Sequence, residues 1–306
     1  VFIVMSIFFR SIFSGEGDMK TPMIVGGFGT VLNIILDPIF IFSFKMGVQG
    51  AALATVVSQI IVSLIFGYLI FIKKYTMIKI SLSVYQFSSK ILFKIIKIGL
   101  PASFSMIIMS LGGASFNRIL VEFSSEAVAA FQIGIRLDHF FLIPAISIST
   151  SVVTLVGMFY GAKKFKLAKE ITLYAIRSTL LIGILIGFIF FIFSDNIVSI
   201  FSDNTNIQNI SSQYLRYFVF GYPFIAISMI SGRAMQGLGK GIPMLVLTLL
   251  RVLVISIAFS VFFVFFLNKS IEWVWISQVI SVIISALIGW FWLIHVFNKI
   301  NSESKK

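Results

Sequence analysis

Apolar residues run along this chain in blocks of about 20, separated by short polar and glycine-rich breaks. A block of that length carries an α-helix across a bilayer core of ~30 Å. The pattern predicts spans over 23–44, 51–72, 95–120, 128–160, 171–193, 214–236, 242–267 and 273–297. The run at 128–160 is too long for one straight span, so its first turns are expected to lie outside the membrane or to tilt. A shorter apolar run opens the chain at 1–13 and carries Arg10 near its end. A signal peptide would place its positive charge before the apolar stretch. The opening run therefore reads as the back half of a helix whose front is missing, and the chain as a fragment.

Composition turns the pattern into a class. Of the 306 residues, 58% are hydrophobic and only 11% are charged, whereas soluble domains carry about 25% charged residues. So few charges cannot coat a water-soluble body, and an all-α polytopic membrane protein follows. The formal net charge of +13 does not call for nucleic acid, because the basic residues collect in short loops and no base-stacking module is visible. Lys73, Lys74, Lys79, Lys90, Lys94 and Lys97 share one loop region, and Lys163, Lys164, Lys166 and Lys169 share another. With Lys240, Lys299, Lys305 and Lys306 they fall on one side if the helices alternate. Glu122, Glu126, Asp195, Asp203 and Glu272 fall on the other, with Lys45, Lys269 and Arg216 as basic exceptions. Loop charge of this kind puts the basic side, and the C-terminus, in the cytoplasm of a multi-pass protein of the cell membrane. The absence of cysteine excludes disulfides and thiolate metal sites.

The polar breaks contain a repeat. SGEGDMKTPM (14–23) and QGLGKGIPM (236–244) both follow an apolar run, aligning Gly15, Gly17, Pro22 and Met23 with Gly237, Gly239, Pro243 and Met244. Farther on, VSQIIVSLI (57–65) matches ISQVISVII (276–284). Two matches at nearly constant offset point to a duplicated bundle. The first stretch is no phosphate loop, since both flanks are membrane spans and the GxxxxGK[ST] pattern is absent. Gly17 and Gly239 are instead expected in tight hinge turns, where glycine reaches backbone angles closed to other residues.

Ionisable residues inside the spans are the candidate chemistry, because each costs roughly 2.5–3.5 kcal/mol to insert and is normally paired or functional. Asp37 lies deep in its run, with Asn33 four residues before it on the same helix face and Pro38 after it, where a backbone hydrogen bond is lost. A carboxylate, an amide and freed carbonyls can together hold a proton, Na⁺ or an organic cation; the alternative is a structural cap or an interhelical hydrogen bond. Arg136, Asp138 and His139 sit in the fourth span near Pro144, either as a charge pair or relay, or as an outer-end cluster reaching water. Arg251 is expected to brace backbone carbonyls, and Arg233 to snorkel to the cytoplasmic surface. Gln132, Phe131, Tyr160, Tyr217 and Tyr222 are candidates to line a cavity. No catalytic residue and no metal site is expected: His139 and His295 lie far apart and no HExxH occurs.

The ordered set GEGDMKTPM (15–23), NIILDPIFI (33–41), GVQGAALATVVSQ (47–59), GLPASF (99–104), VGMFYGAKKFKLAKE (156–170) and QGLGKGIPM (236–244) resembles the multidrug and toxic compound extrusion (MATE) family. The resemblance implies a two-lobe helical bundle of twelve helices, of which this chain would hold about eight complete spans and one partial. About three and a half helices would be missing. It implies N-lobe residues at 1–72, a basic cytoplasmic linker at 73–94, a C-lobe at 95–298 and a tail at 299–306. The function implied is antiport, exporting cationic drugs (small organic cations) or toxic organic compounds in exchange for H⁺ or Na⁺ as a lipid-embedded monomer without another cofactor. Asp37 and Asn33 match the N-lobe pocket that holds the coupling cation in some members, whose partner aspartate lies on helix 1. Some branches also use a glutamate on helix 7 and an aspartate on helix 10, but 95–120 and 214–236 contain no carboxylate. A lipid-linked saccharide flippase of the same superfamily is the alternative, and an intramembrane enzyme a more distant one.

Overall fold

The computed structural model describes residues 1–77 and 87–303. Among them run α1 (Phe2–Gly15), α2 (Lys20–Ser43), α3 (Gly47–Ile72), α4 (Ser89–Val121), α5 (Ser125–Gly161), α6 (Phe165–Ser199), α7 (Thr205–Gly237), α8 (Ile242–Phe266) and α9 (Glu272–Glu303). From α2 onward, each of these is long and apolar enough to cross a membrane. The all-α polytopic class is therefore as the apolar blocks predict. Lys79, Lys305 and Lys306, used to orient the loops, lie outside the described residues. So does part of the expected 73–94 linker, and α4 begins inside that linker, at Ser89.

The chain divides into two units, with α1 to α3 in the first and α4 to α9 in the second. In the first, α3 packs on both α1 and α2 around Phe9, Phe13, Val25, Val62, Phe66 and Ile70. In the second, α7 runs through two cores. One is aromatic, built on Phe131, Phe141, Tyr214, Tyr222 and Trp275. The other is aliphatic, built on Val152, Val156, Ala234, Met235 and Leu293. Lipid supplies no hydrophobic drive between helices, so close packing of small residues matters more than in water. Gly183 and Gly187 of α6 lie against Tyr222, and Ser228 of α7 shares a 2.8 Å hydrogen bond with Ser285 of α9. Hydroxyls with no water to meet turn back on their own helices, as Thr172 does to the Ala168 carbonyl and Thr179 to that of Ala175.

Some helices depart from regular α geometry. Pro223 has no N–H and its ring crowds the carbonyl four residues earlier, so α7 tightens to a 3₁₀ turn at Val219–Gly221 before resuming at Tyr222. The expected single span at 214–236 is thus a jointed helix that begins at Thr205. α2 and α8 each end in a wide π turn, Ile39–Ser43 and Phe262–Phe266, and each is followed by a left-handed residue, Lys45 and Asn268.

The repeat seen in sequence recurs in these local structures. Gly17 and Gly239 take φ of 87° and 80°. The Gly17 N–H reaches the Ser14 carbonyl and that of Asp18 reaches Phe13, while Gly239 reaches Gln236 and Lys240 reaches Met235. Both are the same left-handed helix stop. In the first copy Asp18 also caps α2 by accepting from the Lys20 and Thr21 N–H groups, each at 3.0 Å. The Thr21 side chain and backbone hold its carboxyl below the usual carboxylate range. A left-handed non-glycine residue costs about 1–3 kcal/mol. Gly239→Val should therefore lower the thermal unfolding temperature in detergent, whereas Gly161→Ala, with open space at its Cβ, should not.

Candidate functional site

The acids that the sequence singles out end up in different settings. Asp37 and Asn33 face each other within α2, with the Asn33 amide donating to the Asp37 carboxylate at 3.4 Å. Asp37 is half-buried rather than deep in protein. Asn33 lines a cavity of about 400 Å³ between α1, α2 and α3, with Arg10, Thr30, Thr55, Ser58 and Gln59 in its walls. The buried Ser58 hydroxyl there has no partner among the described residues. Pro38 closes the α-helical part of α2, just before the wide turn.

The Arg136, Asp138 and His139 cluster is dispersed, because neighbours on a helix point in different directions. Arg136 and His139 are exposed, and the His139 ring turns back to the Ile135 carbonyl at 2.7 Å. Asp138 faces the aromatic core and is only 4% exposed. It is neither part of an outer-end cluster reaching water nor paired with Arg136. Instead, the Tyr214 hydroxyl donates to its Oδ2 at 2.6 Å and the Tyr222 hydroxyl to its Oδ1 at 2.7 Å. The two tyrosines stand on opposite sides of the 3₁₀ joint in α7, so one carboxylate pins both halves of the broken helix. The Tyr214 ring reaches that position because α5 has no side chain at Gly134, where a Cβ would sit 2.3 Å from the ring.

Asp138 lies in the wall of a cavity of about 250 Å³ in the second unit. Arg251, Gln278, Ser256, Phe131 and Tyr214 share that wall. Arg251 does not brace backbone carbonyls as expected, since its side chain meets no hydrogen-bond acceptor or carboxylate among the described residues. It sits in a second wide turn of α8, Leu250–Val254. Gln278 is the repeat counterpart of Gln59, so the same duplicated Ser-Gln pair supplies a cavity residue in each unit.

The other candidates lie elsewhere. Gln132 is exposed and donates to Asn117 Oδ1 at 3.1 Å. Tyr217 borders a different cavity, beside the ion pair that Arg216 makes with Asp195 at 2.6 Å, and Tyr160 is exposed. Arg233 is half-buried and donates to Gln236. Among the described residues no three of His, Cys, Asp or Glu are placed to hold a metal ion. Sequence reasoning misses Tyr214, although Tyr214, Phe218 and Tyr222 form an aromatic stripe at four-residue spacing that marks one helix face.

The comparisons with known proteins agree on the class. The sequence pattern of the MatE family matches residues 101–262. The chain is 30% identical over 290 residues to the probable multidrug resistance protein NorM of Thermotoga maritima, covering 92% of this chain and 61% of that protein. It is 28% identical to the multidrug export protein MepA of Staphylococcus saprophyticus, covering 94% of this chain and 63% of that protein. A solved MATE in its bent conformation superposes on all of this chain and on 68% of its own length, with a TM-score of 0.94 and 28% identity. The chain thus spans less than two thirds of the length of the two relatives named. Since the family pattern takes in more than half of the residues and the helical fold is that of solved MATE transporters, this chain belongs to the MatE family of multi-pass membrane transporters.

Proposed function

We propose that the protein is a secondary antiporter of the cell membrane that exports amphipathic organic compounds, organic cations among them, in exchange for H⁺ or Na⁺. In this reading it acts as a monomer with its C-terminus in the cytoplasm, on the side of the basic loops. The names of its relatives support the export half. The observation that carries the exchange half is Asp138, a buried acid in a spanning helix whose two oxygens hold phenols from either side of a joint. An ion can drive transport only if it binds two conformations unequally. A proton or Na⁺ at Asp138 competes with the Tyr214 and Tyr222 hydroxyls, so its binding is tied to how the halves of α7 are held. Asp37 with Asn33 is the corresponding candidate in the first unit, with Pro38 loosening the turn beside it.

The test is ion-driven ethidium efflux from vesicles containing the full-length protein. Asp138→Asn keeps the shape and removes the titrating charge, and efflux should fall at least tenfold. Tyr222→Phe should fall less, because one phenol still engages the acid. Unchanged efflux in Asp138→Asn removes this residue from the exchange, and unchanged efflux in Asp37→Asn does the same for the first unit.

A further inference from the structure

We infer that the cavity beside Asp138 receives the anionic group of an aromatic amphiphile, with Arg251 as its counter-charge. This adds an anionic aromatic class to the compounds of the export reading and rests on that reading only for the step from bound compound to exported one.

The cavity wall holds an engaged carboxylate and unused donors. Asp138 is the one carboxylate in the wall, and each of its oxygens already accepts a tyrosine hydroxyl. Those two bonds fill about half of its lone-pair sites. Gln278 is 7% exposed and Ser256 is 2% exposed, and among the described residues neither the Gln278 Nε2 nor the Ser256 hydroxyl has a partner. A buried donor left unmade is destabilising, and a ligand oxygen would remove that cost. Arg251 adds a full positive charge with no ion pair to any described carboxylate.

Local geometry holds that charge in place. Arg251 lies in the wide turn Leu250–Val254, and turns of π spacing inside α-helices often occur where a side chain serves function. α4 meets this turn closely, since a Cβ on Gly112 would overlap Val252 at 2.1 Å. Guanidinium forks bind carboxylates and phosphates through paired N–H bonds. Around these donors stand Phe116, Phe131, Tyr214 and Phe218, which offer ring faces and edges to an aromatic body. A cationic ligand would be repelled by Arg251 and meet a carboxylate already engaged by two phenols, whereas an anionic or zwitterionic one meets three donors.

The experiment measures equilibrium binding to the full-length protein in phosphatidylcholine nanodiscs at neutral pH, with no ion gradient. The probes share one ring system: 1-naphthoate, 1-naphthamide and 1-naphthylmethylamine. The acid should bind at least tenfold more tightly than the amide or the amine. Arg251→Gln should bring the acid down to the level of the amide, and Arg251→Lys should retain part of the preference. Equal or tighter binding of the amine overturns the proposal, as does an acid preference that survives Arg251→Gln or a failure of all three probes to bind. If Arg251→Gln does not fold, the ranking of the three probes on the unaltered protein decides alone. A second set of nanodiscs containing phosphatidylglycerol separates the two sources of anion. Displacement of bound naphthoate identifies a lipid headgroup, and retention identifies a soluble amphiphile; either supports an anion site. Should efflux survive Asp138→Asn while the probe ranking holds, the exchange reading falls and this site stands.

Discussion

Asp138→Leu should destabilise the second unit by about 2–4 kcal/mol, because it strands two buried phenols at once. Each unmatched donor costs about 1–3 kcal/mol, the lower end applying where a cavity admits water. Replacing every member of a polar cluster by apolar groups of similar shape is close to neutral. The triple variant Asp138→Leu, Tyr214→Phe, Tyr222→Phe should therefore be more stable than Asp138→Leu alone, although it carries two further changes. Thermal or SDS unfolding in detergent reads both. A triple variant less stable than the single one would mean that the hydroxyls serve partners other than this carboxylate.

The second large effect is expected at Gly134→Ala. The new methyl would sit 2.3 Å from Tyr214 Cδ1 and 2.4 Å from Cε1, far inside contact distance. The ring cannot simply move aside. It is stacked on Phe218 at 5.2 Å and held edge-on by Phe131 at 5.6 Å and Trp275 at 5.0 Å. Overpacking a filled core costs about 1–3 kcal/mol, and a displaced ring also lets go of Asp138. The expected loss is about 2–4 kcal/mol. Gly113→Ala, where nothing lies within 4 Å of the added Cβ, is the matched control and should change little. Adding Tyr214→Leu to Gly134→Ala should recover part of the loss by removing the ring that collides.

Much of the architecture was legible in sequence because membrane helices announce themselves by length and apolarity. The duplicated turns were legible too, since a left-handed stop favours glycine and both copies carry one there. The site was less so. The partners of Asp138 lie 76 and 84 residues away along the chain, while its immediate neighbours Arg136 and His139 suggested a cluster that the helix turns outward. Asp37 was the easier acid to notice, because its local context carries an amide and a proline, yet it is half-buried and, among the described residues, bonded only within its own helix. Arg251 could be placed in a span but not aimed. Its direction depends on a wide turn that leaves no mark in residue type, and on the close approach of α4 at Gly112.

The joint in α7 has a spectroscopic corollary. The upper and lower segments of that rod cannot swing apart while both phenolic oxygens stay on one aspartate, so any swing must free at least one ring. A freed phenol changes its hydrogen-bonding partner from an acid to something weaker, which shifts its ultraviolet Raman bands. Tyr214 and Tyr222 are thus built-in reporters of bending, able to follow the rod without an attached dye.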